Sequence, residues 1–295
     1  MSMKIAGKKI RISPLLILLF VVLALYVFTL VGLLFWGLMT SFKDGYNDIT
    51  FYDNTYGWPR KFVFVNYTDV FVNFTMAGKP GQTVYFEKIL LNSVLYSVGC
   101  AFFKTLVPCV TAYACARFNT KLSKLVYTIV LVTMIVPIVG SLPSELKVAY
   151  AIKFHGHIWG LWIMAANMQG LYFFVMYSAF KAMPMGYSEA AKIDGANNLH
   201  VLLRIAMPLV KNLFLTVLLI NFVEYWNNYQ VPMVYLPETP TLGYTLWYKT
   251  AGSNELKDYT KAIALAFIVI TPSLTLFLIF QERLMGNLTL GGLKG

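Results

Sequence analysis

The chain has 295 residues, of which 58% are hydrophobic and 13% charged, and a mean hydropathy of +0.63. Soluble domains carry about 25% charged residues, so half that fraction points to lipid as the solvent and argues against an ordinary soluble protein. The net charge of +11 does not signal nucleic acid, because the bases lie in short stretches between apolar runs and gather on no single face or tail.

A bilayer core takes roughly 20 apolar helical residues to cross. The first run, 14–40, exceeds that and follows a basic leader with Lys4, Lys8, Lys9 and Arg11. Its length, and the lack of a small-residue cleavage site, predict a retained span with a cytoplasmic N-terminus. Segment 41–85 is polar and aromatic, punctuated by Tyr56-Gly57-Trp58-Pro59 and Gly78-Lys79-Pro80-Gly81, and reads as an ordered extracytoplasmic loop. Further apolar runs at about 86–115, 124–143, 158–180, 210–236 and 260–281 complete six transmembrane helices of an all-α integral membrane protein. Pro108, Pro137, Pro232 and Pro272 fall inside them, which spans tolerate where neighbours satisfy the freed backbone groups.

Six spans bring both termini to one side. Thirteen bases then fall inside, ten outside, and Lys104 within a span. The leader and the Arg117–Lys124 connection hold no acids, whereas Asp44, Asp48, Asp53, Asp69 and Glu87 dilute the long loop. The positive-inside rule thus favours cytoplasmic N- and C-termini in a multi-pass cell-membrane protein. Cys100, Cys109 and Cys115 share one apolar run without metal or redox spacing, and read as small buried helix residues.

Segment 183–209 is unlike a simple connector. It reads Met-Pro-Met-Gly-Tyr-Ser-Glu-Ala-Ala-Lys-Ile-Asp-Gly-Ala-Asn-Asn-Leu-His-Val-Leu-Leu-Arg-Ile-Ala-Met-Pro-Leu. Pro184 and Ser188 are helix-start signals, and Glu189 suits the positive end of a helix dipole. Ala190 and Ala191 keep one face small, Asp194-Gly195 makes a turn, and a second amphipathic stretch, 199–206, leads to Pro208. The residues alone fit equally a docking element for another protein and a loop lying on the membrane surface.

The same string resembles the EAA motif of permease subunits of binding-protein-dependent ABC importers. Its positions are Glu189, Ala190, Ala191, Gly195, Ile205, Met207 and Pro208, with Met207 in place of leucine the one mild departure. Leu91-Asn92-Ser93, Ala112–Arg117 and the 222–232 stretch also resemble that family, and the tail 288–295 is similar to the maltose-permease type of the carbohydrate branch. The resemblance implies a type I ABC importer transmembrane fold with a core at 86–282, the first span (1–40) and loop (41–85) in front, and a cytoplasmic tail at 283–295. It further implies that Glu189, Ala190, Ala191, Asp194, Gly195, Ile205 and Pro208 couple the spans to a separate ATPase. Gly291–Gly295 would reach between the ATPase subunits. Implied partners are a second permease subunit in a heterodimer, two ATPase subunits, a solute-binding protein and membrane lipid. The implied cargo is carbohydrate, of oligosaccharide size.

Glu224, near the middle of the fifth predicted span, is costly in lipid and with Trp226, Asn227 and Asn228 forms a patch suited to sugar. An interhelical polar contact of purely structural value is the equal alternative. Lys104 reads as a snorkelling or paired lysine. His155-Gly156-His157 lacks the further ligands of a metal site, and Gly156 and Gly160 have GxxxG spacing. Gly78-Lys79-Pro80-Gly81 misses P-loop spacing, and no catalytic grouping is visible, so the chain reads as a non-enzymatic subunit needing no cofactor. An ion-gradient-driven secondary transporter is the competing reading; neither repeated halves nor paired broken helices favour it.

Overall fold

The computed structural model describes residues 2–5, 8–11, 14–136, 140–252 and 259–288. Pro137 and the tail residues Gly291–Gly295 lie outside these. The chain divides into two units, residues 1–72 with 254–268, and residues 73–253 with 269–295.

The first unit opens with a two-strand antiparallel ribbon, β1 (Ser2–Ile5) and β2 (Lys8–Arg11), followed by α1 (Pro14–Ser41). Helix α1 is apolar on every side and exposed along its whole first two-thirds, as a lipid-facing helix must be. The loop behind it folds around Lys43, which is 0% exposed. The ammonium donates to the carbonyls of Asn54 (2.7 Å) and Thr55 (2.9 Å), and Trp36 Nε1 shares the latter. Burial pulls the lysine below its ordinary range, and the buried carboxylate of Asp48 opposes that shift. Asn66 at the start of α2 (Val65–Asn73) closes the loop by donating to the carbonyls of Ser41 and Lys43. An Asp69–Lys261 ion pair is one-third exposed and adds little stability.

The second unit begins with the hairpin β3 (Thr75–Ala77) and β4 (Thr83–Tyr85), then α3 (Phe86–Arg117), its central helix. Next come α4 (Lys121–Ile135), α5 (Leu142–Ala151), α6 (Ile158–Ala165) and α7 (Leu171–Ala182). They are followed by α8 (Gly186–Ile193) and α9 (Asn198–Val201), which runs through a wide turn at 202–206 into α10 (Met207–Asn227). The short α11 (Gln230–Tyr235) and α12 (Leu242–Trp247) precede α13 (Tyr259–Leu288), whose later part belongs to this unit.

Among the described residues, four helices, 14–41, 86–117, 198–227 and 259–281, are long and apolar enough to cross a membrane. The third and fourth predicted runs fall on shorter helices. Helix α4 has 15 residues, and the 158–180 run splits into α6 and α7 at 166–170, where Gly170 takes φ +115°. The fifth run starts earlier than its apolar pattern suggested. The second amphipathic stretch is the front of that span and not a separate short helix. Pro208 has no N–H to give the carbonyl four residues back, and the adjoining turn is wide, with Met207 N donating to Leu202 O.

Among the described residues, two cores help hold this unit together. One joins Cys109, Ala112 and Tyr113 of α3 to Val130, Phe173, Met176 and Phe180, and to Leu202, Ala206 and Val210. The other joins Tyr96 and Cys100 to Ala149, Leu161, Ala165, Tyr235 and Leu236. Lipid is as apolar as these side chains, so close packing rather than water exclusion binds them. Gly99 illustrates the fit: a Cβ there would lie 2.0 Å from Trp162 Nε1, whose N–H donates to Leu95 O (2.9 Å). Gly160 serves its own loop, since a Cβ would meet Phe154 O at 2.5 Å, and Gly156 takes φ +82°. The GxxxG spacing therefore reflects a tight turn, not a helix pair.

Candidate functional site

Helix α8 contains no buried residue. It begins with Glu189 in its first turn and ends in a complete Schellman closure. Gly195 N donates to Lys192 O (3.1 Å), and Ala196 N donates to Ala191 O (2.9 Å), with Gly195 at φ +85°. Only glycine enters that left-handed conformation freely. Asn197 then caps α9, accepting from His200 N at 2.8 Å. The turn opens a cleft of about 480 Å³ lined by Ala191, Asp194, Gly195, Ala196, Asn197, His200 and Ile205.

The outer surface is unusually apolar for an exposed helix. Ile193 is 86% exposed, and Met185, Tyr187 and Leu199 are also open. Glu189 and Ala190 are exposed, while Ala191 and Ile205 are half-buried and Pro208 is exposed. Six residues beyond Gly195 the chain becomes rooted, because Val201, Leu202 and Ala206 are buried. An exposed, internally closed helix thus connects to a segment fixed in the core between α3 and α7.

A second polar feature lies deep in the long helices. Tyr96, Cys100 and Lys104 share one face of α3 at i, i+4, i+8 spacing. Lys104 Nζ donates to Asn167 Oδ1 (3.0 Å) in the break between α6 and α7. Next to it, Asn221 Nδ2 of α10 donates to Thr105 Oγ1 (2.9 Å), and Asn221 is 0% exposed. Pro108 leaves the carbonyl of residue 104 without its helical bond, loosening α3 at this level. Asn221 Oδ1 and Tyr96 Oη are buried without a partner among the described residues. Glu224, one turn beyond Asn221 and exposed, lies within electrostatic reach of Lys104, Tyr172, Tyr96 and Tyr225.

The other three residues of the predicted sugar patch separate. Trp226 is 4% exposed, and its Nε1 donates to Val269 O (2.8 Å) of α13. Asn227 is exposed, its amide folded back on Val223 O. Asn228 ends α10 and accepts from Val231 N in the first turn of α11. Sequence reasoning missed Asn167, Asn221 and Thr105. Their signal was polar side chains inside apolar runs, which mark helix contacts or a polar path.

Asn92 and Ser93, noted only as a boundary, pin a distant segment. Asn92 Nδ2 donates to Pro240 O (3.0 Å), and Leu242 N donates to Ser93 Oγ (2.7 Å). His155 lies against Tyr150 of α5 and bonds Val234 O of α11, so its ring ties those two helices together.

Comparison with known proteins gives these features a context. The melibiose/raffinose/stachyose import permease protein MelC of Bacillus subtilis is 30% identical over 187 residues, 62% of this chain and 67% of MelC. The galactooligosaccharides transport system permease protein GanQ of the same organism is 26% identical over 99% of this chain and 100% of its own length. One chain of the crystal structure of a bacterial ABC transporter involved in import of the acidic polysaccharide alginate shares the fold. Its TM-score is 0.72 at 22% identity, covering 90% of this chain and 95% of that one. Residues 106–284, which include the 186–195 turn and Asn221, match the family described as binding-protein-dependent transport system inner membrane component, and this membrane protein belongs to that family.

Proposed function

We propose that the chain is the transmembrane permease subunit of an ATP-driven importer for carbohydrate of oligosaccharide size. The observation that carries this is α8, a helix with no buried residue, closed on itself and joined at one end to a segment rooted in the core. A loop resting passively on the membrane has no need for that combination. The sugar class is supported by relatives such as MelC and GanQ, whose names specify oligosaccharide transport.

In this reading six spans cross the membrane with both termini in the cytoplasm, and this subunit pairs with a different permease subunit above two ATPase subunits. A solute-binding protein delivers cargo from outside. Glu189, Ala190, Ala191, Asp194, Gly195, Ile205 and Pro208 form or support the coupling element. Ala190 and Ala191 allow close approach, and Ile193 and Tyr187 supply apolar contact. Closure of the ATPase pair shifts α8 as a rigid piece, and buried Leu202 and Ala206 pass that displacement to α3 and α7.

Solute passes the polar groups of α3 and α10. Glu224 and Asn227 are exposed, while Lys104, Asn221 and Tyr96 add hydrogen-bonding capacity suited to hydroxyls. Trp226 and Asn228 support the route by fixing α10 against α13 and α11. The test is uptake of a radiolabelled raffinose-type oligosaccharide by vesicles containing the full complex. Uptake that requires internal ATP and loaded binding protein, and survives an ionophore, supports the reading. Uptake that collapses with the ion gradient and ignores ATP overturns it in favour of a secondary transporter.

A further inference from the structure

We infer that Arg117 and Lys124 form a binding site for the phosphate of an anionic membrane phospholipid, beside the coupling element. The site is a pocket of about 400 Å³ where α3 ends and α4 begins, lined by Arg117, Asn119, Lys124, Tyr127, Tyr177 and Met185 among others, none of them acidic. No acid occurs in the chain between Glu87 and Glu145. Lys181 reinforces the charge, its ammonium 5.6 Å from the centre of the Tyr177 ring.

The arginine is under-used. Its Nη1 donates to the thioether of Met185 at 2.8 Å, a weak acceptor for a full cation. Its Nε is buried without a hydrogen-bond partner among the described residues. A guanidinium seeks planar, charged oxygen acceptors, and phosphate supplies them. The capped start of α4 adds a positive helix end to the same side.

A lipid is favoured over a soluble phosphate by what lies along α4. Leu122, Leu125, Ile129 and Val132 follow helical spacing on one face and are all 47–69% exposed. An acyl chain can lie along that stripe while the headgroup occupies the basic pocket, an arrangement expected for basic pockets between helices at the inner surface. Met185 is also the residue that precedes α8. Lipid phosphate competing for Arg117 releases its contact with Met185, so the site links membrane composition to the position of α8, whatever solute is carried.

The experiment is native mass spectrometry of the purified full chain titrated with phosphatidylglycerol or phosphatidylcholine. Wild type is expected to retain phosphatidylglycerol preferentially, and the Arg117→Gln/Lys124→Gln variant to bind it about 30-fold more weakly, the loss expected for two interfacial bases. The exposed Lys124→Gln change alone, which leaves the helix ends intact, is expected to weaken binding about fivefold. A Lys88→Gln/Lys147→Gln control, equal in charge, is expected to bind as wild type does. Equal binding of both lipids, or equal binding by wild type and the 117/124 variant, overturns the site. Displacement of phosphatidylglycerol by millimolar inorganic phosphate overturns the assignment to a lipid.

Discussion

In the exposed turn at 186–196 no stabilising backbone bond reaches further than five residues along the chain, from Ala196 N to Ala191 O. In the polar seam the bonds join residues 63 and 116 positions apart, Lys104 with Asn167 and Thr105 with Asn221. The turn is exposed and holds its shape through local rules of helix closure. The seam exists only because α3, α10 and the 166–170 break come together from distant parts of the chain. A change in the turn should therefore alter what it touches outside the chain, and a change in the seam should alter the path between the helices.

The largest effect expected from this contrast is at Gly195. A β-branched residue at φ +85° is strained by roughly 1–3 kcal/mol, although open space surrounds the position. Gly195→Val should reduce ATPase stimulation by loaded binding protein at least tenfold. Gly195→Asn should keep most of it, because asparagine enters the left-handed region. Equal loss in both would show that bulk, and not backbone conformation, matters there.

A smaller effect is expected in the seam. Lys104→Met removes the donor to Asn167 but fills the same space, and should lower oligosaccharide uptake about three- to tenfold, the range of one ordinary hydrogen bond. Copurification of the ATPase should be unchanged. Loss of the ATPase in this variant would blur the distinction between the two regions.

The smallest effect concerns a third segment, held like the 186–196 turn by local bonds. Asp44 caps the 45–51 turn, and hydrogen bonds from Asn47 and Tyr46 hold its carboxyl below the ordinary value of 3.8. The charged form is thus the one that stabilises the fold, so the contribution is complete above 3.8 and fades as pH falls through the depressed value. Protection of the Tyr46 and Asn47 amides, taken relative to their intrinsic exchange rate at each pH, should fall on acidification in wild type, and Asp44→Asn should flatten that response while leaving transport unchanged.

What was legible in the sequence follows the same division. Glu189, Asp194 and Gly195 announce a helix start and a left-handed stop within a few residues, and the turn is built as those signals require. The long apolar runs of α1, α3 and α13 were equally plain. The break at 166–170 was not, because its apolar flanks continue across it and Gly170 alone gives weak warning. Nor could Asn221 be matched to Thr105, since hydropathy does not rank one helix pair above another. Trp226 was read as a sugar-stacking ring because of its polar neighbours, yet its indole N–H meets a backbone carbonyl on α13.

The most direct measurement is cysteine cross-linking in the intact complex. In a Cys115→Ser background, where the remaining native cysteines Cys100 and Cys109 are buried, Ile193→Cys is paired with cysteines placed around the ATPase cleft. The expected result is a cross-link from Ile193→Cys whose yield changes when ATP closes the ATPase pair, with none from Ile129→Cys on the apolar face of α4. A complex that transports sugar on ATP yet never joins position 193 to the ATPase would contradict a coupling role for this helix.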